Sequence, residues 1–73
     1  MEKMVKINSD FIKLDSFLKF VGAVNSGGEA KIFIKDGKVK VNGNIECQRG
    51  KKLHKDDCVE FNGNKYILGD QWN

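Results

Sequence analysis

The residues of this chain that could do chemistry are few, and most of them are cationic. One histidine, His54, lies between two cysteines, Cys47 and Cys58, in the spacing C-x6-H-x3-C. A structural zinc site needs a fourth ligand and a different spacing, so this set does not read as a metal centre, and no cofactor is expected. A Cys–His nucleophile pair would need a carboxylate or amide to orient the imidazole, and the spacing suggests none. Gly27-Gly28 lacks the Lys-Ser/Thr that a phosphate-binding P-loop carries at fixed distance. No Ser-His-Asp arrangement is present. The chain reads as no enzyme, with no small-molecule substrate. Both cysteines fall at alternating positions of expected strands and read as small core residues. His54, among Lys51, Lys52, Lys55, Asp56 and Asp57, reads as a surface histidine near phosphates.

What remains is positive charge, and it is distributed unevenly. The chain has 73 residues, 13 of them Lys or Arg and 10 Asp or Glu, for a net charge of +3. Residues 13–55 hold ten of the basic side chains and four of the acidic ones, so +6; the remainder holds three and six, so −3. A basic face points to a polyanion. Lys31 and Lys35 are four apart and share one helix face, offset from the apolar stripe. Lys38 and Lys40 share one strand face, opposite Val39 and Val41. Arg49, Lys51 and Lys52 cluster in an expected loop beside Gly50, and Lys13 lies at the start of a helix. Together these can contact phosphates. Phe17 and Phe33 fall in core stripes. Phe11 and Phe20 are not assigned by their spacing to core or surface, and no aromatic motif of the common sheet-based RNA readers is visible.

These side chains need elements to hold them. Val5 and Ile7 alternate with Lys6, which predicts a strand near residues 3–8. Leu14, Phe17, Leu18 and Val21 fall at i, i+3, i+4 and i+7, which predicts a helix over about 14–21, ending near Gly22. Ser26 is a helix cap, and Ala30, Phe33 and Ile34 repeat the helical stripe over 27–35, with Gly37 as the stop. KVKVN (38–42) reads as a strand and Asn42-Gly43 as a hairpin turn. Ile45 and Cys47 belong to a second strand, and QRGKKLHKDD is mostly loop. CVEF (58–61) and KYIL (65–68) are strands joined at Asn62-Gly63. The fold class is α+β: two helices packed on a small, mostly antiparallel sheet.

Size sets further bounds. A chain this short makes one domain, 1–73, with an economical core. No apolar run approaches the roughly 20 residues that cross a bilayer, so no membrane partner is expected. The N-terminus MEKMVKINSD has no signal-peptide core, and two cysteines are too few for a secreted disulfide framework; both point to the cytoplasm.

The run KLDSFLKFVGAVNSGGEAKIFIKDGKVKVNG, with RGKKL and then DDCVEF, resembles the alpha-L RNA-binding motif, the domain of ribosomal protein S-four of the small subunit. The resemblance covers about residues 13–61. It is most specific at Ser26, Ala30, Ile34, Gly37, Val39, Val41, Asn42 and Gly43. The GGEAK and RGKKL runs look like the small stand-alone, ribosome-associated members. The resemblance implies two helices on a small sheet, with structured RNA docking on the helix pair and adjoining loops. It places Lys13 where the family often has arginine before Leu-Asp and matches Ser26 to the serine opening the second helix; Lys31 follows the matched alanine and Lys38 the matched glycine. Two departures stand out: Gly27 replaces an arginine that many members carry after the serine, and Asp56 replaces a glycine before Asp57.

The expected function is non-catalytic binding of structured RNA, ribosomal or transfer RNA, with the ribosome itself as an expected partner. The contact residues are Lys13, Ser26, Lys31, Lys35, Lys38, Lys40, Arg49, Lys51 and Lys52. The alternative is a protein-interaction module docking on a ribosomal or other protein, for which Trp72 in the tail is the candidate anchor.

Overall fold

The computed structural model describes residues 2–69; Trp72 lies outside them. The chain runs β1 (Glu2–Lys6), β2 (Ile12–Lys13), α1 (Leu14–Phe20), α2 (Gly27–Lys35), β3 (Val39–Val41), β4 (Asn44–Ile45), β5 (Lys52–Leu53), β6 (Cys58–Phe61) and β7 (Asn64–Gly69). Among the described residues β1-β7-β6-β3-β4 form one sheet, and β2 pairs with β5 in a separate two-stranded ribbon. Every pairing is antiparallel except that of β1 with β7. The α+β expectation is met, and the one parallel pair makes the sheet mixed.

Local sequence explains most of these elements. Both helices end in the same way, with the chain turning through a left-handed glycine. Gly22 has φ 77° and Gly37 φ 74°, values that glycine adopts without a Cβ penalty. Ala23 N–H donates to the Leu18 carbonyl and Lys38 N–H to that of Phe33, the six-to-one bonds of a Schellman motif. At the other end of α2, the Ser26 hydroxyl accepts the Glu29 N–H at 3.2 Å, while the Glu29 carboxylate accepts the Asn25 N–H at 2.7 Å. This exchange fixes where α2 begins. The hairpins β3–β4 and β6–β7 turn on Asn42-Gly43 and Asn62-Gly63, each pair at positive φ, as two-residue turns between twisted strands require.

One face of the large sheet is the core. Val39, Val41, Val59, Phe61, Tyr66 and Leu68 turn inward onto the helices, with Phe17 edge-on to Tyr66 at 5.9 Å and Phe33 tilted on Phe61 at 5.2 Å. Ala30 is fully buried, where its lack of bulk lets α2 approach its neighbours. The opposite sheet face is open to solvent.

Three expectations are corrected. Residues 52–53, expected in a loop, form β5. Its Leu53 is fully buried against the core, and its backbone pairs with Ile12–Lys13. Cys47, expected on a strand in the core, is exposed and lies beyond β4. After Glu46 N–H bonds to the Val39 carbonyl, the Glu46 carboxylate accepts the Gln48 N–H at 3.2 Å and the chain leaves the ladder. Cys58 is half-buried on the solvent-side face of β6, again not in the inner core.

Candidate nucleic-acid interface

Helix α1 opens at Lys13, whose side chain cannot accept a hydrogen bond, and no side chain caps the helix. Its first N–H groups are satisfied from elsewhere. Leu14 N–H donates to the Lys51 carbonyl at 2.9 Å, and Asp15 N–H to the Arg49 carbonyl at 3.1 Å. The 49–51 turn is thus held against the helix by its backbone, closed on itself by Lys51 N–H to the Gln48 carbonyl. Its side chains are left outward: Arg49, Lys51 and Lys52 are all exposed. Helix capping therefore gathers Lys13, Arg49, Lys51 and Lys52, which are some 40 residues apart in sequence, into one place.

The β2–β5 ribbon completes the arrangement. Ile12 pairs with Leu53 and Lys13 with Lys52. Alternation turns Ile12 and Leu53 to the core and Lys13 and Lys52 to solvent. The same alternation carries Phe11 and His54, the next residues outward, onto the solvent side. Their rings lie 6.3 Å apart. The Lys52 ammonium sits 4.8 Å from the centre of the Phe11 ring, a cation–π contact. The outer ribbon face thus carries two lysines, an imidazole and a phenyl ring. The neighbouring carboxylates are Asp10, next to Phe11 in the chain, Asp15, which turns back to accept the Ser16 N–H at 2.7 Å, and Asp57, which accepts the His54 N–H at 2.8 Å.

The other sequence-derived residues divide between two surfaces. Lys31 and Lys35 are exposed on α2, on the side away from Ala30 and Ile34, with exposed Ile32 between them. Ser26 is exposed at the head of α2; its oxygen is committed to the cap, and its hydroxyl hydrogen can still be donated. Lys38 and Lys40 line a shallow groove with Gly37, Glu60, Phe61 and the 62–65 turn. Lys40 projects from the sheet face turned away from the helices. It stands opposite Glu60, which in turn pairs with Lys65, and Lys65 with Glu2. This alternating row offsets the charge of Lys40 locally, so the structure does not bring Lys40 together with the ribbon cluster.

Among the described residues no group of three or more His, Cys, Asp and Glu could hold a metal ion, and no helix is long and apolar enough to cross a membrane. Phe11 is the site residue that periodicity could not assign. The signal was its place two residues before Lys13, but only the pairing with β5 gives that spacing a meaning.

Fold and charge define a class: a small α+β binding module with a basic ribbon at the start of its first helix. The S4 domain family model matches residues 5–68, and the chain belongs to this family of S4-type RNA-binding domains. It is 38% identical over 63 residues to the "Probable ribosome maturation protein RlbA" of Bacillus subtilis strain 168, covering 86% of this chain and 89% of that protein. It is 38% identical over 52 residues to YbcJ of Escherichia coli strain K12, which is provisionally described as RNA-binding, covering 71% of this chain and 74% of that one. The fold is shared with the crystal structure of 30S ribosomal protein S4e from Thermoplasma acidophilum, at TM-score 0.62 and 22% identity. That match covers 82% of this chain but only 32% of the ribosomal protein.

Proposed function

We propose that this chain grips structured RNA, ribosomal or transfer RNA, and acts in ribosome maturation in the cytoplasm. The observation that carries the reading is the convergence of Lys13, Arg49, Lys51 and Lys52 at the start of α1. Lys31, Lys35 and the Ser26 hydroxyl extend this surface along α2. Lys38 adds to the positive field from the groove side, whereas Lys40, set opposite Glu60, adds little. Phosphate and shape contacts dominate, because the deep, narrow major groove of duplex RNA hides base edges from side chains. The relation to a ribosome maturation protein supports the cellular role.

The test is RNA affinity against salt. Four to six neutralised phosphates give a log–log slope of roughly −3 to −5. Replacing Lys51 or Arg49 by Ala is expected to lower the slope by about 1 each, uniformly across RNA sequences. The same change at Lys65, on the far sheet face, is the control and leaves it in place. A flat salt response, or equal losses at Lys65 and Lys51, would overturn the reading.

A further inference from the structure

We propose that the exposed ring of Phe11 is a stacking platform for one unpaired nucleobase of the bound RNA, so that the partner is a duplex interrupted by a looped-out or bulged nucleotide. The proposal rests on the RNA-binding reading and narrows it.

Three observations carry it. Phe11 is 38% exposed, although the ribbon that holds it has an inner face where Leu53 is buried and Ile12 half-buried. It keeps a phenyl face in water, which is unfavourable in proportion to the apolar area exposed. Second, the backbone that carries the ring is held in place. The Ser9 hydroxyl donates to the Phe11 carbonyl at 2.7 Å, β2 begins at the next residue, and His54 abuts the ring at an interplanar angle of 52°. A tilted imidazole does not occupy the ring by stacking. Third, the ring stands among cations. Lys52 lies over it at 4.8 Å, and Lys13 is directly across from Lys52 in the ribbon. A nucleotide needs a flat apolar surface for its base and a cation within reach for its phosphate; Phe11 and Lys52 offer both in one contact. Lys52 covers one face of the ring, and a base takes the other or displaces the ammonium onto its own phosphate. A fully paired helix has no base free to use this ring, whereas an unstacked nucleotide does.

The experiment compares two hairpin RNAs with identical stems, one carrying a single bulged nucleotide and one fully paired. Wild-type protein is expected to favour the bulged RNA by about 5- to 100-fold. Phe11→Leu keeps apolar bulk but loses the aromatic face, and the preference should disappear, the bulged and paired RNAs then binding within about twofold of each other. Phe11→Trp restores it. The salt slopes of the three proteins should agree, because stacking releases no counterions. An unchanged thermal midpoint for Phe11→Leu verifies folding. A bulge preference that survives Phe11→Leu, or equal wild-type binding to both RNAs with a normal salt slope, overturns the stacking platform alone. Salt-independent binding to both RNAs overturns the RNA-binding reading with it.

Discussion

Lys13 and Lys52 stand directly opposite each other in the β2–β5 ribbon, two like charges at a cross-strand pair. Like charges in this position destabilise a sheet by a few tenths of a kcal/mol to about 1 kcal/mol. The π face of Phe11 attracts the Lys52 ammonium and offsets part of this cost. A polyanion bound to the outer ribbon face would remove the repulsion. Lys13→Gln is therefore expected to stabilise the free protein by about 0.5 kcal/mol. The same change should weaken RNA binding and lower the salt slope by about 1. Urea unfolding and a salt titration of affinity measure the two effects. A change of the same sign in both would show that Lys13 acts only through folding.

A second relationship ties the β3–β4 turn to the rest of the sheet. Asn42 N–H donates to the Cys58 carbonyl at 2.7 Å, and its Oδ1 accepts the Cys58 N–H at 2.9 Å, 16 residues away. Its amide nitrogen also donates to Asp57 at 3.1 Å, while the second Asp57 oxygen accepts the His54 N–H at 2.8 Å. Asn42 combines this with φ 52°, a conformation that asparagine tolerates and alanine resists. Asn42→Ala is expected to cost about 2–3 kcal/mol, from backbone strain and a lost partner for the Cys58 N–H. Asn42→Gly keeps the conformation and should cost about 1 kcal/mol. Equal losses for the two variants in denaturant unfolding would remove strain from this account.

The parts of the fold that were legible in the sequence are those with local causes. Ser26, Ala30, Phe33, Ile34 and Gly37 specify α2 through a cap, a stripe and a stop within twelve residues of chain. Asn42-Gly43 and Asn62-Gly63 specify their hairpins in two residues each. The ribbon is different. Two-residue strands have no periodicity to detect, and β2 and β5 find each other because α1 needs carbonyl partners for its first N–H groups. So the cations of the 49–52 run were visible as charge, but their meeting with Lys13 and Phe11 was not. Lys40 shows the converse: strand alternation placed it correctly on the solvent face, yet only the pairing register reveals Glu60 beside it.

Ser26 has two roles that substitution can separate. As the cap of α2 it accepts the Glu29 N–H, and Ser26→Ala is expected to cost about 1 kcal/mol of stability. Aspartate caps as well as serine, so Ser26→Asp should restore stability to within a few tenths of a kcal/mol. An added carboxylate opposes phosphate, however. With both variants folded, Ser26→Asp is expected to bind RNA several-fold more weakly than Ser26→Ala, most of all at low salt. Equal affinities for the two would place Ser26 outside the RNA surface.

The two thiols should respond differently to pH and to modifying reagents. Cys47 is exposed, whereas Cys58 is half-buried on β6. Burial raises the Cys58 thiol above its ordinary value of 9.0; Lys65 opposes the shift, and Glu60 and Glu2 reinforce it. Exposure alone should make Cys47 the first to be alkylated; the thiolate is the reactive form, so labelling of Cys58 should keep accelerating at pH values above 9.0. The same shift bears on stability. Between the ordinary value and the raised folded value, the unfolded chain has already lost the thiol proton that the folded chain still holds. The unfolded state then binds fewer protons, so stability contributed by this group is intact below pH 9.0 and falls as pH rises past it. Cys58→Ala should flatten that part of the pH–stability curve while Cys47→Ala leaves it unchanged. Comparison of the two single variants by thermal unfolding between pH 8 and pH 10.5 isolates the contribution of Cys58. A curve that Cys58→Ala leaves unaltered would mean that the thiol is as well solvated in the sheet as in the unfolded chain.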